Sequence, residues 1–359
     1  MLGADRRANR AFEPNCAVRR EKEIQLMKKH TGIGAVLGVM GILVLPLWTA
    51  PAADTARADR FAFKYAPDRP LTYAMGMKMT LDMDMKSGTE SMTMKMSFDL
   101  RYRIKLTPTA DTQAGATALR LDPSGIEGDW DITGPSGHIV IALRGTEMKG
   151  TQDGVVIINT AEDIGIEQAQ AFKKEIMPLY LSGQVDLDAQ GNVKGFRGDV
   201  PFVEFWTEAM SSQVGMWGIV FPQRALAVGD TWEEALVLKK MGQIKLEGDG
   251  MRCTVTFSRK PDVVASQKRL AEFSLSAPFS QKNLTGYMEQ MGQVTRVNFT
   301  KFDRRASGTI HFDPERGVLT DAVLRADADG SMSFAGQGQT ASMELGIEMD
   351  MRVNLLPQD

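Results

Sequence analysis

From Leu71 to Met85 every odd-numbered position is apolar: Leu71, Tyr73, Met75, Met77, Met79, Leu81, Met83 and Met85. After the polar stretch Lys86-Ser87-Gly88-Thr89-Glu90-Ser91 the phase changes. From Met92 to Leu106 the even-numbered positions are apolar, through Met94, Met96, Phe98, Leu100, Tyr102 and Ile104. A period of two sustained this long belongs to a strand with one buried face, because successive side chains of a strand point to opposite sides. Two such runs around a short polar segment predict a hairpin. Setting Met85 opposite Met92 places Leu71 opposite Leu106 and keeps every apolar side chain on one face. The same register sets Asp82 against Lys95 and Lys78 against Asp99. A slip of one residue would put apolar side chains opposite polar ones, so the register should be well specified. Arms of about 15 residues reach roughly 50 Å at about 3.3 Å per residue, and strands of that length must twist and curl.

A third run of this kind, Met343 to Leu355, lies near the C-terminus. Shorter alternations occur at 139–143, 155–158, 251–257, 270–275, 294–302 and 309–312. Asp188 with Gly191, and Asp313 with Gly317, read as Asp-started turns between strands, in two segments that echo each other faintly. Asp329-Gly330 reads as a hairpin turn; with Asp327 it also resembles half a calcium loop, but lacks the later bidentate Glu. Two segments depart from the β pattern. Thr160 with Glu162 and Asp163 suggests a capped helix start, with the helix ending before Pro178. A second helix begins near Pro201, with Phe202, Phe205, Trp206, Met210 and Val214 at three-to-four spacing. The expected architecture is mainly β: a large curved antiparallel sheet, half-barrel or barrel-like, with covering helices over about 161–177 and 201–217. Residues 71–356 form a single β-rich domain, and 53–70 a linker before it.

Residues 221–232, ending in Val228-Gly229-Asp230-Thr231-Trp232, resemble a segment of uncharacterised families of exported bacterial proteins. There a Val-Gly-Asp-Ser/Thr-Trp stretch introduces the second half of a β-rich domain. The resemblance implies an envelope protein without known catalysis and transfers no functional residue. Physically, Gly229-Asp230 is a turn and Trp232 a large apolar anchor on the strand that follows.

The N-terminal region gives an address. An apolar stretch from Gly32 to Trp48 follows Lys28-Lys29-His30 and precedes Thr49-Ala50-Pro51-Ala52-Ala53. This is the three-part pattern of a secretory signal, with cleavage expected after Ala52. The stretch is short for a bilayer span, which needs roughly 20 apolar residues. Met27 is the expected start, which makes 27–52 the signal peptide and 1–26 an extension outside the expressed chain. The alternative is an uncleaved anchor at 32–48 with a basic cytoplasmic tail. Beyond Ala52 there are 34 Lys/Arg and 41 Asp/Glu, a balance of about −7 that argues against nucleic acid and anionic membrane surfaces as partners. Any membrane attachment would run through 32–48 alone. The expected location is the periplasm or cell surface.

Catalytic chemistry finds little support in the chain. It has three histidines and no Gly-x-Ser-x-Gly elbow, zinc spacing or phosphate-binding glycine loop. Cys253, in the run Met251, Cys253, Val255, Phe257, reads as a small buried hydrophobe. No catalytic residue, metal ligand or cofactor is assigned. The chemical peculiarity is methionine, 23 in all. Thioethers are soft ligands that suit Cu(I), which gives a copper-handling alternative. They also alternate with Leu and Phe along the strands, which makes them the apolar face of a sheet. Within that reading the face is either a packed core or an apolar groove formed by Met75, Met77, Met79, Met94, Met96, Phe98, Leu100 and Tyr102. The expected function is that of a non-enzymatic exported envelope protein binding an apolar ligand, such as a lipid, or another envelope protein.

Overall fold

The computed structural model describes residues 58–109, 115–176, 183–197, 218–241, 244–265, 267–290, 293–336 and 339–357. Numbered in chain order, these carry strands β1 to β19 and one α-helix, α1 (Ile166–Ile176). Six long strands form the centre: β1 (Leu71–Ser87), β2 (Glu90–Pro108), β3 (Ala116–Gly134), β17 (Gln293–Asp313), β18 (Val318–Gly336) and β19 (Gln339–Leu355). They lie antiparallel in the order β3, β2, β1, β19, β18, β17. The β1–β2 hairpin has the register that the alternation predicts, with Met85 facing Met92, Met83 facing Met94 and Leu71 facing Leu106. The outward ion pairs are formed as well: Lys78 Nζ lies 3.0 Å from Asp99 and Lys95 Nζ 3.5 Å from Asp82.

Both flanks of this centre fork. On one side β3 pairs near its C-terminal end with β4 (Gly137–Arg144), which leads on to β5 (Glu147–Gln152) and β6 (Val155–Asn159). Near its N-terminal end β3 pairs instead with β7 (Gly183–Asp188), followed by β8 (Val193–Arg197). On the other side β17 is flanked by β14 (Lys268–Ser276), β15 (Phe279–Gln281) and β16 (Leu284–Gln290) in turn. Beyond β14 lie β12 (Met251–Arg259) and β9 (Thr231–Leu238); beyond β16 lie β11 (Ile244–Leu246) and β10 (Lys240–Met241). The short β13 (Val263–Ala265) pairs with β14. No pairing among the described residues joins the two flanks, so the curved sheet is an unclosed half-barrel.

The sheet curls so that one face becomes the interior. Leu100, Ile104, Leu106, Phe257, Phe273, Phe299, Ile310 and Phe312 are fully buried, and a single apolar cluster reaches from β1 to β12 and β14. Each such side chain contributes about 1.5–3 kcal/mol relative to exposure. Phe61 and Phe63 join Phe221, Phe273 and Phe312 at one end, with ring centroids 4.9–6.1 Å apart. Phe61 and Phe63, in the segment expected as linker, are therefore part of the core; Asp59 also pairs with Leu226 through its backbone.

Other expectations need correction. Asp329-Gly330 is no turn but lies mid-strand in β18, opposite Asp303 and Phe302. The glycine serves close approach: a Cβ there would come within 2.9 Å of the Phe302 ring. The turns fall at Asp188 and Asp313, whose carboxylates accept backbone N–H bonds from Gln190 and Asn192, and from Glu315 and Arg316. The first helix starts later than expected. Residues 160–162 form a 3-10 turn, Asp163 is left-handed, and α1 begins at Ile166. The Thr160 hydroxyl is used otherwise, accepting the Met148 N–H at 2.8 Å. The second expected helix at 201–217, the signal segment 27–52 and the extension 1–26 lie outside the described residues.

Candidate functional site: the inner face of the half-barrel

Because the register is continuous across β2, β1, β19 and β18, the inner-face side chains form lateral rows. One row reads Met92, Met85, Met343, Met332; the next reads Met94, Met83, Leu345, Gly330. Then come Met96, Leu81, Ile347, Ala328, followed by Phe98, Met79, Met349, Ala326. Toward the other end lie Leu100, Met77, Met351, Leu324 and then Tyr102, Met75, Val353, Ala322. All eight residues assigned to an apolar groove thus share this face. Met75, Met79, Met96, Phe98, Leu100 and Tyr102 are buried, while Met77 and Met94 are half-buried. The face is covered along most of its length and opens toward the β1–β2 turn, where Met85 and Met92 are also half-buried.

The rows bear on the copper alternative. Directly opposed side chains have Cβ atoms about 4.5–5.5 Å apart, so four methionines in one row span on the order of 15 Å. Leu81, Leu345, Ile347 and Leu100 are interleaved with them. Such a layout is that of a sheet lining, with the methionines strung across four strands. No group of three or more His, Cys, Asp or Glu among the described residues is arranged to hold a metal ion.

Trp232 and Cys253 take the places expected of them. Trp232 is buried, stacks on Phe257 at 5.0 Å, and donates its indole N–H to the Val220 carbonyl at 2.8 Å. The turn before it is held by Asp230, which accepts from Arg224 and the Ala227 N–H. Cys253 is buried, and burial pushes its thiol up, so it packs as a neutral group.

One inner-face residue carries no expectation from the sequence pattern. β17 carries Val297 and Phe299 inward; a bulge at Thr300 then shifts the phase, and Phe302, Arg304, Ala306 and Ile310 point inward. Arg304 is 5 % exposed. Its signal lies in the sequence nonetheless: an arginine occupies the apolar phase of an alternating run.

The outer face is polar. A groove of about 1350 Å³ crosses β3, β2, β1, β19 and β18 there, lined by more carboxylates than cations. Much of that charge is paired, Asp99 with Lys78 and Arg101, Asp129 with Arg144, and Asp350 with Arg325. The Arg101 and Lys78 bonds hold Asp99 below the usual carboxylate range, against the opposing effect of burial. Charged side chains such as Lys78, Asp82 and Lys95 along the long strands are the reverse of the apolar outer band by which a β-barrel meets lipid.

Fold and site together define a class: an unclosed antiparallel half-barrel with an apolar, methionine-rich interior and an ionic exterior. No known protein family and no curated protein matches the chain. Among solved structures, the β-domain of the Bordetella autotransporter BrkA is 8 % identical over 80 % of this chain and 100 % of its own, at a TM-score of 0.27. Pseudomonas aeruginosa OccK7 (OpdD) is 9 % identical over 81 % and 100 %, with a TM-score of 0.19. The translocator domain of the autotransporter NalP from Neisseria meningitidis is 6 % identical over 78 % and 88 %, with a TM-score of 0.16. At these scores the likeness carries no argument about function.

Proposed function

We propose that the protein is a non-enzymatic, exported protein of the cell envelope that holds an apolar ligand, such as a lipid chain, on the inner face of its half-barrel. The observation that carries this reading is the apolar lining, broken on β17 by Arg304, along six long strands of a sheet that does not close among the described residues. Methionine makes up much of that lining, and its flexible, polarizable side chain adapts to varied apolar partners. The half-buried Met85, Met92 and Met94 lie where the lining is least covered and would be the point of entry. The signal-like segment ending near Ala52 supports export, and the ionic exterior suits an aqueous compartment.

Native mass spectrometry of the exported chain tests the proposal. It predicts a population heavier than the polypeptide by the mass of a lipid, lost after organic extraction and regained on adding lipid back. A single unliganded mass before and after lipid addition would contradict it.

A further inference from the structure

Among the described residues the half-barrel buries two arginines, one ion-paired and one not. Arg259, 2 % exposed, bonds to Asp262 and lies over the rings of Phe61 and Phe273, each 5.3 Å away. Arg304 has no carboxylate partner among the described residues, and its Nε, like that of Arg259, is buried without a hydrogen-bond partner. Its row across the sheet continues through Ala328, Ile347, Leu81 and Met96. The titratable neighbour that it feels is the Cys253 thiol, itself kept neutral by burial. Burial pulls the Arg304 guanidinium down to about 10, which leaves it protonated at neutral pH. A cation inside an apolar lining costs several kcal/mol unless something offsets it. Its immediate neighbours on β17 and β18 include the short side chains of Ala306, Ala326 and Ala328, none of which offers it a polar partner.

We propose that Arg304 receives the anionic headgroup of an amphiphilic ligand, a carboxylate or phosphate on an alkyl chain, whose tail lies along the methionine rows. This deepens the apolar-ligand reading and rests on it. A guanidinium forks onto either anion through two N–H donors, and such charge-assisted bonds are the strong ones. The tail would then pack among Ile347, Leu81 and Met96 of the same row, or Met79 and Met349 of the next, side chains that are buried without it and must shift to admit it.

The test is calorimetric titration of the exported chain with decanoate, 1-decanol, decyl phosphate and inorganic phosphate. The wild type is expected to bind both anionic amphiphiles at least about tenfold more tightly than decanol, and inorganic phosphate far more weakly. Arg304→Met is expected to erase that preference while decanol is still bound. Decanol binding without any preference, or a preference that survives in Arg304→Met, would overturn the role of Arg304 but not the apolar site. Tight Arg304-dependent uptake of inorganic phosphate alone would overturn the amphiphile. Failure of all the alkyl ligands would remove the apolar reading itself. A second readout needs no variant. The carboxyl of bound 1-¹³C-decanoate should titrate below that of free decanoate if it sits on Arg304, and above it if it is merely buried.

Discussion

At the scale of single residues the molecule sorts its charges by face, and the exceptions are informative. His311 on β17 is held between two carboxylates, with Nδ1 2.7 Å from Asp321 and Nε2 3.3 Å from Glu272. These residues stand opposite one another across β14, β17 and β18. The bond to Asp321 raises the imidazole above its ordinary range, against the opposing effect of burial. A group raised on folding adds stability that is fully present below its unfolded pKa and is lost as pH rises through the folded one. His311→Gln should therefore destabilise the protein by about 1 kcal/mol more at pH 5.5 than at pH 9. Urea denaturation at the two pH values checks this; an equal loss at both would show that the charge adds nothing. Sequence pattern places Cys253 and Trp232 correctly because each sits in the apolar phase of a short run. It passes over His311 and Arg304, because their surroundings come from strands distant in the chain.

At the scale of elements the long strands are legible in the sequence and the short ones much less so. Residues 71–106 announce both strands, the turn and the register, because alternation over so many residues leaves one pairing that buries every apolar side chain. The flanks are built from strands that all have fewer than ten residues, too short for alternation to fix a partner. Asp329-Gly330 misleads because a dipeptide common in turns also occurs where a ring needs space. The fork in β3 depends on a bulge that alternation does not reveal. Arg101 faces Glu127 and Arg103 faces Ser124, so Tyr102 opposes both Gly125 and Ile126. Gly125 has φ +58, and no atom lies within 4 Å of the place a Cβ would take, so its requirement is conformational and not steric. An L-residue in the left-handed region costs about 1–2 kcal/mol, less for Asn and more for a β-branched side chain. Gly125→Val should thus lower stability by about 2 kcal/mol and Gly125→Asn by under about 1 kcal/mol, measured by chemical denaturation. Equal effects of the two would mean that the bulge is not what the glycine serves.

At the scale of the whole molecule, the long strands do two things at once. Their inner positions make one apolar surface from the β1–β2 turn to the aromatic cluster around Phe61 and Phe221, and their outer positions carry the charge. The sheet does not close among the described residues, so this interior is bounded by short flanking strands. Among the described residues the protonated Arg304 has no counter-charge, which is the feature that the proposed anionic ligand would use. The most direct measurement is a fluorescence titration of the purified protein with N-phenyl-1-naphthylamine, a neutral apolar dye that brightens when it leaves water. A saturable rise that an added alkyl chain competes away, and that polar substitutions at Met85, Met92 and Met94 weaken, is the predicted result. A folded protein that leaves the dye dark at every concentration would contradict the account.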